Sequence, residues 1–512
     1  MPRSLNVFRL LSAAVLALLF AGCAQLPEDY PRQESYALAD YRSTSLGSHF
    51  AKGEDLNPGY SAFSIIRQGD HAFGARLALI DLAEKTLDLQ VYIWEPDATG
   101  VIIAERLVAA ADRGVRVRLL VDDLGFGGED AGIASIDAHP NIEARLFNPF
   151  ASRTFNAFDF MFDLGRVNHR MHNKILVADN SIAIVGGRNV GNHYFDIDPE
   201  TNFRDLDIGG IGPVVREASE VFDHFWNTRA AVPVAALVDR AYTMEDLENT
   251  TTSIRERISL DDFPYQLQND FEALREMMLS EWDLWTRARG TMVWNRPETI
   301  ADDEKQGEII VALAKKFETV QHTLLIESAY FVVRDGGVEM LRRLTERGVK
   351  VRVLTNSLLS NDVLAAHAGH AKYRKKLLEA GVEIYELRSD STIIDRNWRG
   401  ESRAGLHTKA LAFDDESIFI GSFNLDSRSA NINTEAGIYL ESPVLAADLT
   451  DYMDEGASLV NSYRVTLDER GDLRWTTLID GEEVVYDKDP LSTFGQRFMS
   501  GFIGILPIES QL

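Results

Sequence analysis

His172-Asn173-Lys174-Ile175-Leu176-Val177-Ala178-Asp179 and His407-Thr408-Lys409-Ala410-Leu411-Ala412-Phe413-Asp414 are two copies of one pattern. In each, Lys follows His by two residues and Asp follows it by seven. A small pair comes next (Gly186-Gly187 and Gly421-Ser422), then an Asn two residues past the first small residue, Asn189 and Asn424. One His-x-Lys in 512 residues carries little weight, but two copies matching at six aligned positions point to one site built from two halves. Two residues apart on a strand, His and Lys are expected to face the same side. Duplicated about a two-fold axis, they surround one anion with two imidazoles and two ammonium groups. Lys and Asn can donate to the nonbridging oxygens of a phosphoryl group, where charge builds in the transition state. An imidazole, with a free pKa of about 6.5, can attack phosphorus or protonate a departing oxygen. With cationic side chains in that role, no metal or other cofactor is expected. Asp179 and Asp414 complete the pattern and are expected to close the turn after the strand.

The repeat extends upstream. Arg113-Gly114-Val115-Arg116-Val117-Arg118-Leu119-Leu120 reappears as Arg347-Gly348-Val349-Lys350-Val351-Arg352-Val353-Leu354. From Arg113 to His172 is 59 positions, and from Arg347 to His407 is 60. Apolar strands are expected at Leu87–Trp94 and His322–Phe331, each followed by a helical stretch. Such self-similarity implies two homologous α/β domains, each a mixed sheet flanked by helices, packed with pseudo-two-fold symmetry around one site.

These motifs resemble the phospholipase D superfamily, whose signature is this His-Lys-Asp pattern in two copies. LDLQVYIW, AHPNIEARLFNPF, NHRMHNKILVADNSIAIVGGRNVG and the terminal LPIES are similar to the cardiolipin synthase C-like branch of bacterial envelope enzymes. The resemblance implies a phosphatidyltransferase with a phosphohistidine intermediate, His172 as nucleophile and His407 as general acid, then base. The pseudo-symmetry leaves the reverse assignment open. Lys174, Lys409, Asn189 and Asn424 would hold phosphoryl oxygens, with Ser422 as a helper. Gly187 stands where the second half has Ser422, so the clamp is expected to be asymmetric. The family also places a carboxylate after each motif to orient a His: Glu435 in the second half and, in the first, Asp205, with Asp207 as its rival. The implied partners are phospholipids, phosphatidylglycerol first and phosphatidylethanolamine as a further candidate, and a membrane surface. A phospholipase D hydrolase would use identical residues. A metal-independent nuclease and a non-catalytic lipid-binding lipoprotein are further rivals.

Composition bears on these. The net charge is −27, and removing residues 1–22, with Arg3 and Arg9 as their only charges, takes it to −29. An acidic body argues against salt-dependent nucleic-acid binding. Residues 1–22 read as a lipoprotein signal peptide: Leu10–Phe20 is apolar but short for a span, and Phe20-Ala21-Gly22-Cys23 resembles a lipoprotein cleavage box. Cys23, the single cysteine, rules out a disulfide framework and is the expected lipid attachment point. Ala24 after it favours, by resemblance, an outer-membrane address facing the periplasm. The remaining expectations are a tether over 23–55, domain 1 over 56–245, a helical connector over 246–305, domain 2 over 306–465 and a tail over 466–512. In the connector, Phe271, Leu274, Met278 and Trp285, with Trp282, share a helix face expected to pack between domains. In the tail, Asp480-Gly481 predicts a hairpin turn. Phe494, Phe498, Phe502 and Ile505 recur at helical spacing, suiting either a bilayer surface or packing on the body. His367 and His370 lack a third zinc ligand and are expected on a helix surface, beside the basic Lys372, Arg374, Lys375 and Lys376. His169 is a candidate for the mouth of the cleft.

Overall fold

The computed structural model describes residues 26, 30–126, 130–153, 157–257, 279, 285–298, 307–394, 402–506 and 511. Cys23 and the signal segment lie outside them, as do Phe271, Leu274, Met278 and Trp282 of the connector.

The first half supplies strands β1 (Ser61–Ile66), β2 (Thr86–Val91), β3 (Arg116–Asp122), β4 (Ile142–Phe147), β5 (Ile175–Ala178), β6 (Ile182–Gly186), β7 (Thr201–Arg204), β8 (Asp207–Ile211) and β9 (Ala231–Pro233). The second supplies β10 (Thr286–Trp294), β11 (Thr323–Ser328), β12 (Lys350–Asn356), β13 (Glu383–Leu387), β14 (Arg403–Leu406), β15 (Lys409–Phe413), β16 (Ser417–Gly421), β17 (Ala436–Glu441) and β18 (Ser462–Leu467). The tail adds β19 (Leu473–Ile479) and β20 (Glu482–Tyr486). Strand order is β1-β8-β6-β5-β2-β3-β4-β9 in the first half. It is β10-β17-β16-β15-β11-β12-β13-β18 in the second. The two orders are the same, strand for strand. In each, three central strands run parallel (β2-β3-β4 and β11-β12-β13). Parallel strands covered by helices on both faces have no solvent side, so β2 is buried at every residue.

The halves join at their edge strands. β1 and β10 pair antiparallel, Ser61 opposite Ala288, so both edges close on each other. One apolar core spans the junction, with Phe63, Val185 and Ile208 from the first half and Ile418, Ile438 and Leu440 from the second. A shared core of this kind holds the halves in one fixed relation, which a two-half site needs.

Each motif strand turns back through a hairpin in which two residues sit in the left-handed region: Asp179 and Asn180 (φ 50° and 51°), and Asp414 and Asp415 (φ 54° and 55°). Asp and Asn tolerate this conformation better than most side chains. Asp480 and Gly481 form the tail hairpin in the same way (φ 52° and 83°).

Four expectations change. The connector over 246–305 is not helical throughout: Thr286–Trp294 is β10, drawn into the sheet between β1 and β17, and Trp285 directly precedes it. Residues 30–55 are not a free tether. Leu46 and Phe50, four apart on the helix Ser45–Leu56, are buried in the first core, each burial favouring attachment by about 2 kcal/mol. Ser35 and Ala37 also bond to Arg118 and Asp223. His367 and His370 are not surface residues. They are 1% and 2% exposed, because their helix Leu364–Glu379 turns them inward, His367 to Asp489 at 3.6 Å and His370 to Glu386. There His370 and Arg374 approach Glu386 at 3.3 and 2.7 Å, and Trp475 donates to it at 2.8 Å. Arg374 thereby leaves the basic cluster for the interior.

Candidate active site

Backbone pairing between the halves sets the site. β7 of the first half runs parallel to β14 of the second, with Arg204 opposite Leu406. The His407 amide therefore donates to the Arg204 carbonyl at 2.8 Å. The mirror contact occurs where Met171 bridges Thr434, and the His172 amide donates to the Thr434 carbonyl at 2.8 Å. Arg204 and Thr434 each precede a carboxylate, so each motif histidine meets the carboxylate of the opposite half. His172 Nδ1 lies 2.8 Å from Glu435 Oε2, and His407 Nδ1 lies 2.6 Å from Asp205 Oδ2. The pairing is crossed, and a single half carries neither pair. Asp207, the rival to Asp205, is occupied elsewhere: Arg76 and Arg188 bind it at 2.8 and 3.2 Å.

A carboxylate at Nδ1 fixes the proton there and leaves Nε2 for the substrate. Both rings are held by aromatic neighbours. Tyr92 packs edge-on to His172 with centroids 4.9 Å apart; Tyr194 does so to His407 at 5.1 Å, and Phe203 stacks on it at 5.3 Å. Each lysine folds back to the carbonyl of its own motif His: Lys174 at 2.6 Å, and Lys409 likewise. An ammonium has three protons, so each keeps donors for an anion.

The groups of both halves act on one another. Burial lowers the His172 pKa to about 4; Lys174 adds to the effect and Glu435 opposes it. Burial, with Lys409, Lys174 and His172 itself, holds His407 well below its ordinary value. Lys174 and Lys409 are lowered by burial, against the pull of Glu435 and Asp205. Burial raises Asp205. Four buried bases crowded together disfavour positive charge, and an arriving phosphodiester anion relieves that penalty. Among the described residues no cluster of His, Cys, Asp and Glu is spaced to hold a metal.

Other predicted residues are placed as follows. Asp179 stays out of the cleft: its carboxylate accepts from the amides of Glu84, Lys85 and Thr86 at 2.8–2.9 Å. Asp414 does the same for Gln321, His322 and Thr323 at 2.7–2.9 Å. Each thus ties the motif hairpin to the start of the neighbouring central strand, a wider job than closing its own turn. The Ser422 hydroxyl donates to Glu435 and accepts from the Ala436 amide at 3.1 Å, so it supports the carboxylate instead of reaching for a phosphate. The Asn189 amide is also committed, to the Ile93 amide at 3.2 Å and the Tyr194 hydroxyl at 2.8 Å. Asn424, 2% exposed, keeps a buried Oδ1 without a partner. His169 bonds the Ile432 carbonyl through Nδ1 at 2.7 Å. The asymmetry at Gly187 has a steric reason: a Cβ there would stand 2.2 Å from Asp205 Oδ1. The Asp205 carboxylate fills the space that a serine side chain would need.

One pair of site-building residues escaped the sequence reading. Asp122 Oδ2 accepts the Met171 amide at 2.8 Å, and Asn356 Oδ1 accepts the Leu406 amide at 2.8 Å. Each steadies the residue just before a motif His. Both stand nine residues past the repeated Arg (Arg113 and Arg347), so aligning the repeats was the available signal. Burial lifts the Asp122 pKa to about 6, against the opposing pull of Arg170.

Comparison with known proteins agrees with this architecture. The family model described as "Cardiolipin synthase, PLD-like domain" matches residues 77–226 and 313–456, one segment in each half. Cardiolipin synthase C of Escherichia coli is 37% identical over 88% of this chain and 96% of its own length. An uncharacterized protein of Helicobacter pylori (strain ATCC 700392 / 26695) is 30% identical over 95% of this chain and 97% of its own. Among solved structures, a phosphatidylserine synthase of Haemophilus influenzae Rd KW20 matches with a TM-score of 0.57, covering 91% of this chain and all of its own, at 13% identity; that likeness speaks for the fold alone. With two matched segments, each contributing one His-Lys motif and one carboxylate to a common cleft, the chain belongs to the cardiolipin synthase, PLD-like domain family.

Proposed function

We propose that this protein is a phosphatidyltransferase of phospholipase D type that makes cardiolipin, working by double displacement. His172 Nε2 attacks the phosphorus of a donor phospholipid. The phosphorus–oxygen bond to the leaving alcohol breaks, and His407, carried to its imidazolium form by the bound phosphodiester anion, gives that oxygen its Nε2 proton and keeps the Nδ1 proton bonded to Asp205. His407 then takes a proton from an acceptor hydroxyl, the glycerol of phosphatidylglycerol. The freed oxygen attacks phosphorus, the nitrogen–phosphorus bond breaks, and His172 is restored. Lys174, Lys409 and Asn424 bind the nonbridging oxygens. Asp205 and Glu435 hold the tautomers that both steps require.

The observation that carries this reading is the crossed pair of buried His–carboxylate contacts flanked by both motif lysines. The kinship over nearly the whole chain with cardiolipin synthase C supports transfer as the outcome. The neutral state favoured at His172 suits a nucleophile. Lipid attachment at Cys23 and an outer-membrane, periplasm-facing address complete the proposal. No helix among the described residues is long and apolar enough to cross a membrane. The test is product analysis after incubating the pure protein with phosphatidylglycerol and phosphatidylethanolamine. Cardiolipin is the expected product; phosphatidic acid alone would replace transfer with hydrolysis.

A further inference from the structure

A phospholipid headgroup sits at a bilayer surface, whereas the two motif imidazoles are buried. Two apolar faces stand exposed, the first nearly uncharged and the second beside the Arg166–Asp163 ion pair at 2.5 Å. The first is the tail helix Phe494–Ile505. A capping box of Thr493 and Gln496 fixes its start. Its inner side rests on the helix Leu364–Glu379, with Ser500 buried and Gly504 close to the Ala368 carbonyl. Its outer side presents Phe494, Phe498, Phe502 and Ile505, between 51% and 82% exposed. The only charged residue of the helix, Arg497, folds back onto Ser492. The second face lies in the short helices Ala157–Phe162 and Leu164–Val167, where Met161, Phe162 and Leu164 are more than half exposed.

The faces belong to opposite halves, and Gln511, beyond the tail helix, lies against the residue that follows the second short helix. Asn168, the residue after the second short helix and four before His172, donates to the Gln511 side chain at 2.8 Å. Arg428 of the second half holds both, reaching the Asn168 carbonyl at 2.6 Å and the Gln511 carbonyl at 3.4 Å. The charge of Arg428 is felt at Tyr92, which packs against His172. Exposed apolar residues gathered in one place mark an interaction surface. Aromatic rings on the nearly uncharged outer side of the tail helix, on a protein of net charge −27, suit the boundary of a lipid bilayer.

We infer that the two faces form one docking surface for a phospholipid bilayer, which brings the mouth of the site onto the headgroups; the inference rests on the phospholipid reading of the site. The test uses the full chain with Cys23→Ala and one new cysteine, Phe498→Cys, Met161→Cys or, as control, Glu416→Cys at the far end of the motif hairpin. Each is labelled with an environment-sensitive fluorophore and mixed with phosphatidylcholine vesicles carrying a nitroxide on the acyl chain. Positions 498 and 161 should lose about twofold or more of their emission while 416 stays bright. Equal quenching at all three positions, or none at 498 and 161, overturns the surface. So does energy transfer between labelled copies at 498 without lipid quenching, which would make it a protein interface. Quenching at 498 and 161 in a protein that forms no phosphatidyl-transfer product would keep the surface and remove the transferase reading.

Discussion

Replacing Glu435 by Gln and Asp205 by Asn separates the two half-reactions, because the carboxylates serve opposite histidines. Glu435 is fully buried 2.8 Å from His172, whose side chain is 9% exposed. An imidazolium and a carboxylate at that distance attract by about 4–6 kcal/mol at an effective dielectric near 20. His172 gains positive charge as it attacks phosphorus, so most of that attraction is realised in the transition state. At about 1.4 kcal/mol per factor of ten, Glu435→Gln should slow formation of the phosphoenzyme by about 10³–10⁴. Asp205→Asn should behave differently. With a phosphatidyl ester of p-nitrophenol the leaving group needs no proton, so labelled phosphoenzyme should form at close to the parent rate. It should then accumulate, because His407 can no longer deprotonate the acceptor efficiently. The assay is rapid quench with a 32P-labelled ester, followed by acid-labile label on the protein. If Asp205→Asn abolished label formation from this ester while Glu435→Gln let label accumulate, the nucleophile and acid/base roles would be reversed. If both variants formed and discharged label like the parent, the carboxylates would have no part in the chemistry.

Other outcomes follow from the same geometry. His172 titrates near 4 in the folded protein against about 6.5 unfolded, so the unfolded chain binds more protons between those values and stability must rise with pH across that window. Urea unfolding of the parent should lose about 2 kcal/mol more than His172→Asn on going from pH 7 to pH 5; equal losses would place the His172 titration outside this range. Asp179→Ala strands three amides at the head of β2, the Thr86 amide buried, and should cost about 3 kcal/mol by thermal or urea unfolding. Asp414→Ala bares amides that are mostly open to water and should cost only about 1 kcal/mol. Gly187→Ser should not supply a second Ser422. The new Cβ displaces Asp205, and turnover should fall about tenfold or more with little change at the phosphoenzyme-forming step read with the p-nitrophenyl ester.

The repeat itself was legible from residue identities. Covalent spacing carries it: His, Lys and Asp at fixed offsets, and Arg-Gly-Val at nearly equal distances upstream. From that came two homologous halves, the two central apolar strands, a turn after each motif strand and the cluster of imidazoles and lysines. Glu435 and Asp205 could be named as carboxylates following each motif.

Which histidine each carboxylate meets was decided by tertiary structure. The parallel pairing of β7 with β14 and the bridge from Met171 to Thr434 join residues about 200 and 260 positions apart, and no local pattern records a register between distant chain segments. The same holds for Ser422 and Asn189, whose side chains found partners inside the protein before any phosphate could claim them. It holds too for His370, drawn inward by Glu386, and for His367, which meets Asp489, because local sequence does not place those carboxylates beside them. Offsets along the chain determined which groups the site contains; packing of one half on the other determined which of them touch, because a short hydrogen bond depends on distances through space that only the assembled sheets define.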